Sequence, residues 1–469
     1  RRDVSFAELK TLSDGLAVHL MSLGVGPEDR VGVLRPQSVW TAAAHIAIWK
    51  LGAISIPLFT LFGEEALATR LSDSGARAVV TDADNAGRLA GFDLETVVPD
   101  GLTLDTAPFT PADTAAEDPA VLIYTSGTTG APKGALHAHR VLLGHLPGVE
   151  MSHDGGFEPG DVLWTPADWA WIGGLFDVLM PGLHHGVPVV AARLPKFTSE
   201  ACAQVIATAG VRNVFFPPTA LRMLKAEGAG LPGLRTVACG GEPLGAEMLE
   251  WGRQALGVTI NEFYGQTECN MVLSSCGALF EPRPGATGRP VPGHEIGVID
   301  EAGQVTDDEG DIAIRRFSPV MMLRYWNNPE ATAAKFRGEW LLTGDRGIAE
   351  CGFIRFLGRD DDVITSAGYR IGPAEIEDCL LKHEAVASVG VVGKPDPQRT
   401  EIVKAYVVLK AGQTPDASTR SALQAHVKTC LAAYEYPREI DFVDALPMTV
   451  TGKIIRKELK ARASAEGAA

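Results

Sequence analysis

Apolar runs of strand length alternate with helical stretches through most of this chain, and that alternation limits its fold more than any other feature. Residues 30–34 form such a run, followed by a helical pattern over 38–51, a run at 53–57, a helical pattern at 64–74 and a run at 78–81. The rhythm returns at 186–191, 200–209, 213–216, 219–227, 236–239 and 244–256. Strand–helix alternation predicts α/β architecture, with mainly parallel sheets covered by helices on both faces. Shorter runs at 294–300 and 310–315, with Glu301-Ala302-Gly303 as a hairpin tip, predict a small β subdomain. The pattern changes at Gly358-Arg359-Asp360-Asp361-Asp362. Beyond it a short hairpin, a helix at 373–382, strands at 385–392 and 401–409, a helix at 417–431 and a strand at 438–443 read as a compact α+β domain. The expected organisation is therefore a large domain over 1–358 and a small one over 359–469, a size that folds alone. The tail after Lys460 is expected to fray. The chain opens at Arg1 in an amphipathic helical pattern, so its natural N-terminus, with any targeting peptide, is expected upstream.

Size and charge narrow the function. A chain of 469 residues exceeds what one core usually serves, and 46% hydrophobic residues with a mean hydropathy of +0.07 suit a globular protein. The net charge of −16 argues against nucleic acid or an anionic membrane as main partner. A polyanionic ligand would then need isolated cations at defined places. Seven cysteines, an odd number without a Cys-x-x-Cys pair, fit a reducing cytoplasm and suggest no zinc site. No run approaches the ~20 apolar residues of a membrane span. Nothing in the pattern specifies an oligomeric state.

The strongest local signal is Ile123-Tyr124-Thr125-Ser126-Gly127-Thr128-Thr129-Gly130-Ala131-Pro132-Lys133-Gly134. A strand runs into glycines and hydroxyl side chains and then a lysine. Glycines let backbone N–H groups approach phosphate oxygens, Ser and Thr hydroxyls add donors, and Lys133 adds a point charge. The spacing is not the Walker one. Residues 125–134 resemble the phosphate loop of the adenylate-forming enzymes, the family of acyl-CoA synthetases, firefly luciferase and peptide-synthetase adenylation domains. Further family motifs appear in order, so the resemblance spans nearly the whole chain.

Taken with that resemblance, each motif implies a role. Thr125, Ser126, Gly127, Thr128, Thr129, Gly130 and Lys133 would hold ATP phosphates. Trp169, Trp171, Ile172 and Gly173 would line the acyl pocket together with Gly240 and Gly265. Gly241, Glu242 and Pro243 would contact adenine. In Tyr264-Gly265-Gln266-Thr267-Glu268, Tyr264 offers a stacking face for adenine, Thr267 a hydroxyl for the α-phosphate, and Glu268 a hard oxygen ligand for Mg²⁺. Cys269 beside it reads as a buried bystander. Asp345 in Thr343-Gly344-Asp345 has two acceptors suited to the ribose hydroxyls, and Arg359 would reach the same nucleotide. Asp361 would be the hinge, Arg370 a phosphate contact, and Ala367, Gly368 and Tyr369 a wall of the coenzyme A tunnel. Arg399 and Arg438 are candidates for the CoA phosphates. Leu446-Pro447-Met448-Thr449-Val450-Thr451-Gly452-Lys453 places the adenylation lysine at Lys453, with Met448 where the family carries a basic residue.

The implied chemistry has two halves. A carboxylic acid attacks the α-phosphate of Mg-ATP, and CoA then takes the acyl group from the mixed anhydride, with no protein nucleophile. Catalysis falls to Lys453, Thr267 and Glu268, and the small domain would rotate between the halves. Acetate-specific relatives carry a Trp after the stacking aromatic. Gly265 stands there in this chain, which predicts a medium-chain, branched or aromatic acid. The alternatives are an amino-acid or aryl-acid adenylating enzyme, or a non-catalytic nucleotide-binding regulator. The last would be expected to lack Glu268 or Lys453, and both are present.

Overall fold

A computed structural model describes residues 2–466, apart from 106, 126–131, 195, 360–361, 367–368, 397–398, 432–434 and 450–451, and apart from the side chains of 365, 369, 370 and 375. Two mixed sheets build the large part of the molecule. In the first, Glu95–Val97, Ala78–Thr81, Arg30–Leu34, Ile54–Pro57 and Pro119–Thr125 run parallel, and Lys133–Ala138 and Arg324–Tyr325 extend them antiparallel. In the second, Leu163–Trp164, Asn213–Phe216, Thr236–Gly240 and Ile260–Gln266 run parallel before Asn270–Ser274 and Arg289–Pro290 turn back. The inner strands are apolar on both faces, and Val31, Val33, Ile54 and Ile56 are all buried, as a sheet with helices on each side requires. Helices Phe6–Ser22 and Val39–Lys50 pack together over the first sheet. Ser5 and Ser38 cap them, each accepting a backbone N–H three residues on.

A third, antiparallel sheet contains Ile296–Ile299, Gly310–Arg315, Trp340–Glu350, Phe336–Arg337 and Phe353–Arg359. The turn at Glu301-Ala302-Gly303 is the expected hairpin tip, with Gly303 at φ +79° and the Asp300 amide bonding the Gln304 carbonyl at 2.9 Å. Sheet membership changes between Arg359 and Ile364. The last sheet pairs Val386–Asp396 with Thr400–Leu409, which runs parallel to Glu439–Phe442. Val389, Val391, Val403 and Ala405 face helices Pro373–Leu381 and Ala417–Cys430, whereas Val392 and Tyr406 face helix Arg456–Glu466.

Two sequence expectations change here. Residues 461–466 do not fray: Leu459 and Ala463, four apart on one helix face, are buried, and Glu466 pairs with the buried Lys404. The run at 186–191 is not a strand but a single bridge between Leu163 and Val189, since Pro188 brings no N–H to a ladder. Among the described residues no helix is long and apolar enough to cross a membrane.

Candidate active site

The site forms where strands Thr236–Gly240 and Ile260–Gln266 end, the edge at which open α/β sheets bind ligands. Strand Ile260–Gln266 leaves the sheet in a hairpin with Asn270–Ser274, and the register shifts between Tyr264 and Gly265. This irregularity explains Gly265. A Cβ there would sit 1.7 Å from the Asn270 carbonyl oxygen and 2.4 Å from its carbon. Gly265 is therefore demanded by the close approach of the two strands, not left small to open an acyl pocket. The expectation that its missing side chain makes room for a larger acid does not hold.

The tip of that hairpin carries Gln266, Thr267 and Glu268. The Tyr325 hydroxyl donates to Glu268 Oε1 at 2.5 Å, and Lys133 Nζ lies 5.5 Å from the centre of the same tyrosine ring. Among the described residues the other Glu268 oxygen accepts no hydrogen bond, which leaves a nearly buried hard oxygen for a ligand. That is a fitting donor for Mg²⁺ carried in with a nucleotide. Thr125 pairs with Lys133 across the two strands that flank the loop. Ser126, Gly127, Thr128, Thr129 and Gly130 lie outside the described residues.

Asp345 anchors the next cluster. It is 4% exposed and accepts the Tyr264 hydroxyl at 2.5 Å, with Arg359 Nε at 3.4 Å from its second oxygen. Burial pushes its carboxyl above the usual carboxylate range, against the opposing pull of Arg359 and the Tyr264 hydroxyl. Gln266 donates to the Thr343 carbonyl at 3.0 Å. Lys335 ties this together by donating to Gln266 Oε1 at 3.2 Å and to the carbonyls of Leu342 and Thr343 at 3.1 and 3.2 Å. Sequence reasoning missed Lys335 and Tyr325. Both stand in or beside short polar segments that resemble solvated turns, and only the folded chain brings them to the hairpin.

Lys453 enters from the small domain on a tight turn. The Lys453 amide donates to Thr449 Oγ1 at 3.0 Å, the Thr449 amide donates back to the Lys453 carbonyl at 2.7 Å, and Gly452 stands at φ +81°. The lysine lines a small, nearly filled cavity with Trp171, Pro218, Thr219, Gly240 and Glu242. Burial lowers its pKa, while Glu242 holds it up, with smaller contributions from Arg359, Asp345 and Glu268. One cation thus sits within electrostatic reach of residues from four separate motifs. Arg222, also unforeseen, donates to Glu242 at 3.1 Å and to the Pro243 carbonyl at 3.4 Å. Gly241, at φ +106°, lets the backbone turn beneath Trp171.

The expected acyl segment splits. Trp171 lines the cavity, but Trp169 and Ile172 are buried in the core with Ala42, Val121 and Leu175. Their apolar side chains point at helix Val39–Lys50 and the first sheet, so they are core residues here. The space in front of Gly173 and Gly240 is filled by Trp171, Phe215 and Phe263, with the Phe215 ring 5.5 Å from that of Trp171 and 5.2 Å from that of Phe263. Cys269 is fully buried and its thiol is pushed up to about 12 by burial, as a bystander should be. Asp361, Ala367 and Gly368 lie outside the described residues, as do the side chains of Tyr369 and Arg370. Arg399 sits in the turn between two strands of the small domain, and Arg438 donates to the Tyr436 hydroxyl at 3.1 Å. Neither lines the cavity.

Two family descriptions match this chain: AMP-binding enzyme over residues 1–326 and AMP-binding enzyme C-terminal domain over 375–453. The chain belongs to the AMP-binding enzyme family. Acetyl-coenzyme A synthetase of Bacillus subtilis is 35% identical over 97% of this chain and 84% of its own. The rat mitochondrial acyl-coenzyme A synthetase ACSM2 is 33% identical over 98% and 85%. Among solved structures, ATP-bound MatB from Rhodopseudomonas palustris superposes with a TM-score of 0.89 at 28% identity, covering 98% of this chain and 94% of that one. A benzoate CoA ligase from Burkholderia xenovorans gives 0.85 at 30% identity over 97% and 94%. Within the family the chain is an enzyme of the ligase class, an acyl-CoA synthetase.

Proposed function

We propose that this chain joins a carboxylic acid to AMP, with release of pyrophosphate from Mg-ATP, and then passes the acyl group to the thiol of coenzyme A. The observation that carries this reading is Lys453, which the small domain delivers beside Glu242 and within electrostatic reach of Asp345, Arg359 and Glu268. A carboxylate is a poor electrophile, because its charge is delocalised and repels a nucleophile. Lys453 would hold that carboxylate against the α-phosphate while charge builds, and Thr267 would donate its hydroxyl to the same phosphate. Glu268 would hold the Mg²⁺ that arrives with ATP, which neutralises charge between phosphates. Lys133 and Arg370 would share that work from the other side. Asp345 would exchange the Tyr264 hydroxyl for the ribose hydroxyls, leaving the Tyr264 ring to stack on adenine.

For the second half, the small domain (residues 359–469) would turn on Asp361 against the large one (1–358). That motion withdraws Lys453 and brings Gly368 to the coenzyme. No cysteine or serine of the protein is needed as nucleophile. The reaction fits a cytoplasmic enzyme, where ATP and CoA are at hand.

The acid is proposed to be medium-chain, branched or aromatic. Support comes from the likeness to the benzoate CoA ligase and from the aromatic rings of Trp171, Phe215 and Phe263 beside Gly173 and Gly240, which suit an apolar acyl group. ATP–pyrophosphate exchange with acetate, butyrate, octanoate and benzoate, followed by thioester formation with CoA, tests both statements. Benzoate or octanoate should give the highest kcat/KM. A clear preference for acetate would reject the acid, and no exchange with any acid would reject the activity.

A further inference from the structure

The small domain brings together four side chains that the acyl-activating chemistry does not use. Cys379 and His383 are four residues apart in the chain, and so are His426 and Cys430. A spacing of four puts each pair on one side of its helical stretch. Cys379 belongs to helix Pro373–Leu381, with His383 just past its end, and His426 and Cys430 belong to helix Ala417–Cys430, which packs against it. One ligand atom each from Cys379, His426 and Cys430 lies within 4.8 Å of the others. His426 Nε2 faces the Cys379 carbonyl oxygen at 3.0 Å. An outer contact of that kind orients a ligating imidazole and fixes its tautomer. The His383 ring stands 5.3 Å from that of His426, nearly perpendicular.

We propose that Cys379, His426 and Cys430 form a metal site of the thiolate–imidazole type, selective for zinc or a similar borderline or soft cation. Two sulfurs and a nitrogen exclude Mg²⁺ and Ca²⁺, which want hard oxygens, and suit Zn²⁺. Tetrahedral Zn²⁺ with these ligands separates the donor atoms by roughly 3.5–3.8 Å, so closing the observed arrangement needs contraction of about an ångström and no refolding. Cys430 is exposed, which leaves an entry path and a fourth position for water. His383 walls the site and does not complete it, because its Nδ1 already accepts the Ala385 amide at 3.2 Å. The metal would staple together two helices. One of them carries Glu377, the partner of Arg456, close to the turn that delivers Lys453.

The test uses the full chain, reduced and stripped of metal by a chelator, then titrated with Co²⁺ alone. One equivalent should bind with intense thiolate-to-cobalt absorption and tetrahedral d–d bands, and Zn²⁺ should displace it. Cys430→Ser, at an exposed position, should bind more than about tenfold more weakly and lose much of the charge-transfer intensity. His426→Ala should behave likewise, and Cys351→Ser, at an exposed thiol elsewhere, should bind as the parent does. Absence of these bands in reduced protein would overturn the proposal, as would bands that persist in both ligand variants. A Cys379–Cys430 disulfide in unreduced protein, with no cobalt binding after reduction, would make the pair a redox couple instead and would equally overturn it.

Discussion

Replacing Gly265 by alanine separates two accounts of this position. If glycine is there to leave room for a larger acid, one methyl group should only trim the pocket and shift preference toward smaller acids. The structure requires a harsher outcome. The new Cβ would lie 1.7 Å from the Asn270 carbonyl oxygen, where an ordinary contact needs about twice that, so the strands must part by roughly 1.5 Å. Overpacking of this kind costs about 1–3 kcal/mol. It also displaces the hairpin tip that carries Thr267 and Glu268, and misplacing reacting groups by ~1 Å costs about 100-fold in rate. Gly265→Ala should therefore lower Tm by about 2–10 °C. It should also cut ATP–pyrophosphate exchange by about two orders of magnitude for every acid alike. Differential scanning fluorimetry and exchange assays with butyrate, octanoate and benzoate read both effects. A variant with unchanged Tm that merely favours shorter acids would refute the close-approach argument and restore the pocket reading.

Three further outcomes follow from the site. Lys453→Ala should lower ATP–pyrophosphate exchange by at least about 100-fold, yet still form thioester from supplied acyl-AMP and CoA; equal loss in both half-reactions would contradict the division of labour. Lys335→Met removes the donor shared by Gln266 Oε1 and the carbonyls of Leu342 and Thr343, and each buried acceptor left unmet costs about 1–3 kcal/mol. The KM for ATP should rise about tenfold or more, with a smaller change in kcat, and an unaltered KM would remove Lys335 from the nucleotide site. Burial pushes Glu262 up to about 8 from 4.5, helped by nearby Asp378, so the folded protein keeps this proton while the unfolded chain releases it. Its raised pKa makes stability highest below about pH 4.5 and lost progressively toward pH 8. Glu262→Gln should thus gain at least about 1 kcal/mol over the parent between pH 5 and pH 8, and parallel Tm profiles would reject the raised pKa.

Much of the scaffold was legible in the chain because it rests on local order. The runs at 30–34, 78–81 and 213–216 are strands at those positions, and the pattern at 64–74 is the helix Glu64–Ser74. Binary patterning, Ser caps and a helix-ending glycine, Gly75 at φ +58°, act within a few residues, so they can be read without knowing the neighbours. The motifs proposed to hold a nucleotide stand out for the same reason, as short runs whose composition suits phosphate or ribose. Helix Arg456–Glu466 escaped notice because its apolar stripe is only Leu459 and Ala463 in a polar segment, and it makes sense only against Tyr406 and Val392.

By itself, then, the sequence determined the α/β class, the order of the motifs, and the residue types proposed to face a nucleotide. Tertiary structure decided everything that depends on approach between distant segments. It explained Gly265 by the Asn270 carbonyl and not by an open pocket, sent Trp169 to the core and Trp171 to the cleft, and drew Tyr325 and Lys335 to the hairpin. It also gathered Cys379, His426 and Cys430, where spacing along the chain suggested no metal site. The physical reason is common to all of these: a contact across dozens of residues is set by how helices and sheets pack, and packing leaves no signature in any one stretch of chain.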